Sequence, residues 1–193
     1  MQNNQANIRE DQDWDLVIES KRSLFSVDLK SIWNYRDLLL LLVKRDVTSF
    51  YKQTVLGPLW FFIQPLITTL TFTVIFGNLA AISTDGLPQP LFYMTGVIAW
   101  NYFNDCLVGT GNIFRTNAGI FGKVYFPRMV MPLALVLSNL VKFGVQFILL
   151  TILILIYIFG FGFRPPIGWE LILIPVFILL MAVLGLAAGL VVS

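Results

Sequence analysis

Four long apolar stretches follow one another after residue 58, at residues 59–82, 90–114, 132–159 and 171–193, with short polar segments between them. The first and last contain no charged residue, the second contains only Asp105 and the third only Lys142. About 20 residues of helix, rising ~1.5 Å each, cross the ~30 Å hydrocarbon core of a bilayer. Each stretch is long enough to do so. A large soluble helical core would need polar faces on these helices, and the first and fourth have almost none. The pattern predicts an all-α, polytopic helical membrane protein whose transmembrane domain occupies residues 55–193 and contains four transmembrane helices. A tight turn joins the third and fourth spans, so they are expected to pack as antiparallel neighbours.

Ahead of the first span, residues 31–53 read as an amphipathic helix. Ile32, Tyr35, Leu39, Leu42, Val43, Val47 and Phe50 recur at helical spacing, while Arg36, Lys44, Thr48 and Lys52 recur every four residues on another side. Leu40 and Leu41 widen the apolar face. The segment is shorter and more charged than a span, which suits a position in the membrane interface. It reads either as an anchor helix that steadies the first span or as a movable lever. Gly57-Pro58 breaks it, because proline disfavours a helical residue before itself, and a hinge is expected there.

Charge fixes the orientation. Residues 1–54 carry eight basic and eight acidic side chains, against five and three in the rest of the chain. Of the connections, 83–89 has no basic residue, 115–131 has Arg115, Lys123 and Arg128, and 160–170 has only Arg164. Lys and Arg are retained on the cytoplasmic side. The N-terminal segment 1–54 and the 115–131 loop are therefore expected in the cytoplasm, with the other two loops outside. The polar start of the chain has no apolar core of the kind a cleaved signal needs.

Composition narrows the chemistry. The chain has 193 residues, 57% of them apolar and 12% charged, with one cysteine and no histidine. An intramolecular disulfide, a histidine-ligated metal and a Ser-His or Cys-His triad are excluded. A net charge of +2 gives no electrostatic reason to expect a nucleic-acid partner. No phosphate-binding loop is present: Gly122-Lys123 is followed by Val124, and Asn117 stands where such a loop needs its first glycine. No pair of carboxylates is placed for catalysis, no metal site is expected, and any energy for transport must come from another chain.

Asp105 and Lys142 are the charges inside predicted spans, each costing roughly 2.5–3.5 kcal/mol at mid-bilayer on insertion scales, so each needs a partner or a water-filled path. Their depths are similar, and they are expected to pair. Such a pair either holds two helices together or touches a polar substrate. Asn101, Asn104, Cys106 and Gln146 extend the polar strip. Tyr93, Trp100, Asn101, Tyr102, Phe103 and Asn104 mix rings with amides inside the second span. They fit an interfacial aromatic belt or the lining of a carbohydrate path. In the 115–131 loop, Ile120, Phe121, Val124, Tyr125 and Phe126 lie between basic residues, including Lys123. Exposed apolar residues rimmed by charge form a docking surface.

Three stretches together carry a resemblance: YKQTVLGPLWFFIQPLITTLTFTVIFGNLA at 51–80, GVIAWNYF at 96–103 and NAGIFGKVYFPRMVMPLA at 117–134. They resemble the permease subunit of bacterial polysaccharide ABC exporters, the type 2 exporters of O-antigen, capsule and teichoic-acid chains. The resemblance covers residues 31–193. It implies a six-span permease of the bacterial cytoplasmic (inner) membrane, a homodimer that binds two copies of a separate ABC ATPase and moves a lipid-linked polysaccharide. ATP and Mg would be bound by that ATPase, with no cofactor on this chain. It implies a gate in the 31–53 helix, an ATPase-coupling helix near 116–125 containing Ile120, Phe121, Lys123 and Tyr125, and an aromatic-lined channel to which Trp100, Tyr102 and Phe103 would contribute.

Two spans of the family pattern are missing, and the chain stops at Val-Val-Ser inside an apolar run, which reads as a truncated or partial sequence. The alternatives are a type 2 permease for a drug or lipid, which would not need an aromatic-lined channel, and an integral membrane enzyme of glycan synthesis. The enzyme should show clustered charged residues at one membrane face. A structural scaffold would have no ATPase-docking loop.

Overall fold

The computed structural model describes residues 33–53, 59–121, 127–165 and 168–193. Among the described residues there is no strand. Helix α1, Arg36–Gln53, has Asp37 in its first turn and Lys52 in its last, both complementing the helix dipole. The predicted start of this helix at residues 31 and 32, the hinge at Gly57-Pro58, and the cytoplasmic segment before residue 31 lie outside the described residues.

Helix α2, Trp60–Phe72, contains Pro65 and continues as a π-helical stretch, Thr73–Leu79. Its threonines are compatible with a span because three of their hydroxyls return to the backbone. Thr68, Thr71 and Thr73 donate to the carbonyls of Gln64, Ile67 and Thr69 at 2.8–3.0 Å. The turn that follows places Asp85 and Gly86 at positive φ, and the Thr84 hydroxyl donates to the Leu87 carbonyl at 2.6 Å.

Helix α3, Gln89–Thr116, follows, with Pro90 in its first turn and Arg115 in its last. The short helix α4, Ala118–Phe121, lies in the 115–131 loop. Helix α5, Val130–Phe161, runs 32 residues and ends on Gly162 at φ +65°, the left-handed conformation that glycine supplies at a helix end. A 3-10 turn, Trp169–Leu173, leads into α6, Ile174–Val192.

Three of these helical segments are long and apolar enough to cross a membrane: Trp60–Leu79, Val130–Phe161 and Leu171–Val192. The predicted second span corresponds to α3, whose 28 residues are also long enough. Its polar residues, among them Asn101, Asn104, Asp105 and Asn112, make it less apolar than the other three. α3 is also the centre of the bundle, packing against α2, α5 and α6.

The packing of α6 corrects one expectation. It lies mainly along α3 rather than along α5, its neighbour in sequence. Small residues decide this. A Cβ built on Gly185 would lie 2.8 Å from the Cys106 Cβ, and one on Gly189 would lie 2.6 Å from the Thr110 Cβ. The two glycines, four residues apart, let the backbones approach, as small residues do where helices cross in membranes.

Three apolar clusters run the length of the bundle. At the end where α3 stops and α5 starts, Leu42 of α1 packs with Ile113, Val130, Met131 and Ala134. In the middle, Tyr102, Cys106 and Val136 meet Met181 and Leu186 of α6. At the opposite end, Leu91, Met94 and Ile98 pack with Leu150. The contacts of α1 advance in step along α5, from Leu42 at its first turns to Phe50 at Lys142. Thus α1 runs beside α5 instead of standing apart from the bundle.

Candidate functional site

A cavity of about 690 Å³ opens between the π-helical end of α2, the N-terminal half of α3 and the end of α5. Phe72 and Phe76 form one wall, Tyr93, Trp100 and Asn101 another, and Ile154 closes it from α5. Gly96 leaves room at the centre, since a Cβ there would meet nothing within 4 Å. The Phe76 and Tyr93 rings lie 6.3 Å apart across the α2–α3 side. The Tyr93 hydroxyl is buried and has no hydrogen-bond partner. The lining can receive a mostly apolar or ring-bearing molecule, with Asn101 as a point of hydrogen bonding.

The six ring and amide residues named from the sequence do not share one surface. Successive helical residues turn by about 100°. Tyr93 lines the cavity together with Trp100 and Asn101, seven and eight residues further on. Tyr102 points the other way with Ile98 and Cys106. It is 3% exposed, and its ring lies 5.2 Å from that of Phe143. Phe103 sits 5.9 Å from the Trp100 ring outside the cavity lining, with its carbonyl against Gly185. Asn104 is exposed on α3 and does not line the cavity.

The two intramembrane charges meet one turn further in. The Lys142 Nζ lies 3.7 Å from the Asp105 Oδ2, with the lysine side chain 17% exposed and the aspartate 45%. The ammonium also sits over the Phe50 ring, 3.5 Å from its centroid. Next to this group, the Asn139 amide donates to the Cys106 thiol at 3.9 Å, in a buried polar contact between α3 and α5. Phe50 and Asn139 are functional candidates that residue type alone does not reveal. Phe50 reads as one more apolar position of an amphipathic helix. The glycine pair Gly185 and Gly189 did carry a readable signal, the four-residue spacing of small residues.

The coupling residues are reached only in part. Ile120 and Phe121 belong to α4, but their side chains, and all of Lys123 and Tyr125, lie outside the described residues. What is visible is how the loop is anchored. The Asn117 side chain donates to the Ile113 carbonyl at 2.9 Å, which closes the end of α3. On the other side, the Val130 N–H donates to the Pro127 carbonyl at 3.0 Å, which starts α5.

Comparison with known proteins adds a further observation. The ABC-2 type transporter family matches residues 37–193. An O-antigen export system permease protein RfbA of Myxococcus xanthus is 28% identical over 160 residues, covering 82% of this chain and 58% of that protein. Two proteins of the same name from Klebsiella pneumoniae are 31% and 29% identical over 133 residues, covering 69% of this chain and 49% of each relative. The chain spans about half the length of the curated relatives it matches.

Proposed function

This chain belongs to the ABC-2 type transporter family, and from that premise we propose that it serves as the membrane-spanning permease of an ATP-driven exporter of lipid-linked polysaccharide. The observation that carries the reading is its 28–31% identity to O-antigen export permeases over most of its length. In this reading the chain does no covalent chemistry. It pairs with a second copy and with a separate ABC ATPase that binds ATP and Mg, in the bacterial inner membrane, with its N-terminus cytoplasmic.

The packing supplies a route by which the ATPase could act. Leu42 of α1, Ile113 in the last turns of α3 and Val130 at the start of α5 share one buried cluster. Close-packed interiors transmit displacement. A push on the 115–131 loop therefore reaches the ends of α3 and α5 and, through the same cluster, α1. Movement of α3 then alters the cavity that Tyr93, Trp100 and Asn101 line, which is the proposed polymer path.

Deleting the gene in its own host tests this. Surface polysaccharide should disappear, and its lipid-linked precursor should accumulate on the cytoplasmic side. Undiminished surface polymer with no accumulated precursor would overturn the proposal.

A further inference from the structure

Lys142 lies twelve residues into α5, at a depth of about 18 Å from the helix start, and its ammonium needs partners there. The Asp105 carboxylate stands at 3.7 Å, longer than the ~2.7–2.9 Å of a close charge-assisted hydrogen bond. The aspartate is itself partly exposed. Asp46, one turn before Phe50 on α1, is already bonded to Arg45 at 2.8 Å. Among the described residues a further partner is the face of Phe50, 3.5 Å from the ammonium. Phe50 in turn presents its ring nearly perpendicular to Phe61 of α2, at 6.4 Å and 85°. A small gap among these groups is lined by Val47, Phe50, Phe61, Val141, Lys142 and Val145, of which only Lys142 is polar.

We infer that Phe50 and Lys142 form a latch that positions the C-terminal end of α1 against α5. With α1 docked, the Phe50 ring sits over the ammonium. With α1 displaced, a cation is left facing an apolar gap, so α1 is held in one place rather than sliding along α5. Any aliphatic residue at position 50 would fill space, but only an aromatic face attracts the cation. Phe50 therefore acts through Lys142 as a positioning residue. Its bearing on transport rests on the permease reading above, whereas its test does not require export.

The test is a pair of spin labels on exposed positions of the two helices, at Lys44 and Leu140, in the full chain in lipid nanodiscs with Cys106→Ser as background. The parent should give one dominant short distance. Phe50→Leu and Lys142→Met should each raise the long-distance fraction about tenfold, the scale of a desolvated cation–π contact. The double variant should go no further than either single one. Phe50→Trp and Lys142→Arg, which keep ring and cation, should retain the parent distribution. An unchanged distribution in Phe50→Leu, or additive effects in the double variant, would overturn the latch. Should Phe50→Leu fail to fold, the same comparison between Phe50→Trp and Phe50→Trp with Lys142→Met decides it, the latch requiring a shift only in the second. Failure of export with an intact distance pattern would count against the permease reading alone.

Discussion

Gly189 of α6 faces the backbone of α3 so closely that a Cβ on it would lie 2.7 Å from the Leu107 carbonyl oxygen. That contact is backbone on one side and has no flexible end to move aside. Gly185 is placed alike, 3.2 Å from the Phe103 carbonyl oxygen by the same measure. Gly189→Ala should therefore separate the two helices and lower stability by about 1–3 kcal/mol, the usual cost of overpacking. Gly144→Ala in α5 is the control, because a Cβ there meets nothing within 4 Å. It should be neutral or stabilising by up to ~1 kcal/mol through helix propensity. Thermal unfolding in detergent distinguishes the two.

Asp105 and Lys142 should show energetic coupling. Lys142→Met alone should destabilise, and Asp105→Asn in the same molecule should recover part of the loss. The interaction energy in a double-mutant cycle should be about 0.5–3 kcal/mol, at the lower end because Asp105 is nearly half exposed. Strictly additive unfolding energies would show that the two charges do not act as a pair.

The cavity can be filled from Gly96, one of the residues that line it. Gly96→Leu enters open space and also replaces a helix-interior glycine, which should favour the helix by up to ~1 kcal/mol. If the cavity is the polymer path proposed above, surface polymer in the host should fall sharply while the melting temperature holds or rises. Tyr102→Ala should do the reverse in kind, destabilising by about 3–5 kcal/mol as a buried aromatic truncation. Melting curves and surface polymer measured on both variants separate lining from core.

Phe121→Asp together with Tyr125→Asp should leave membrane insertion intact and abolish polymer-dependent stimulation of the ATPase. ATP turnover of the purified complex, read beside membrane fractionation, checks this. Full stimulation in that variant would move the coupling surface elsewhere on the chain.

Hydropathy was enough to read the helices of this chain, because bilayer thickness sets a length that residue counting can meet. Choice of helix partner was harder to read. The tight connection between α5 and α6 pointed to direct pairing, but side-chain size governs approach, and Gly185 and Gly189 took α6 to α3. The run Trp100 to Asn104 looked like one surface because its members are adjacent in sequence. On a helix adjacency is divergence, and Tyr102 turned inward to Phe143 while Trp100 stayed at the cavity. Depth was legible for Asp105 and Lys142, since both positions can be counted from span ends. The ring over Lys142 was not, because Phe50 precedes the first span by several residues and its reach depends on how α1 docks.

The central place of α3 carries a consequence for how the protein is made. The least apolar of the four predicted spans is the one that α2, α5 and α6 all touch. It leaves the ribosome after α2 and before α5 and α6, so it meets lipid ahead of two of the helices it packs against. Its stable residence in the membrane has to await α5, which brings Lys142 and Asn139, and α6, which brings the glycine seam. Biogenesis is then cooperative where the polar residues are concentrated: interrupting synthesis after residue 121 should leave α2 inserted and α3 free to slip back.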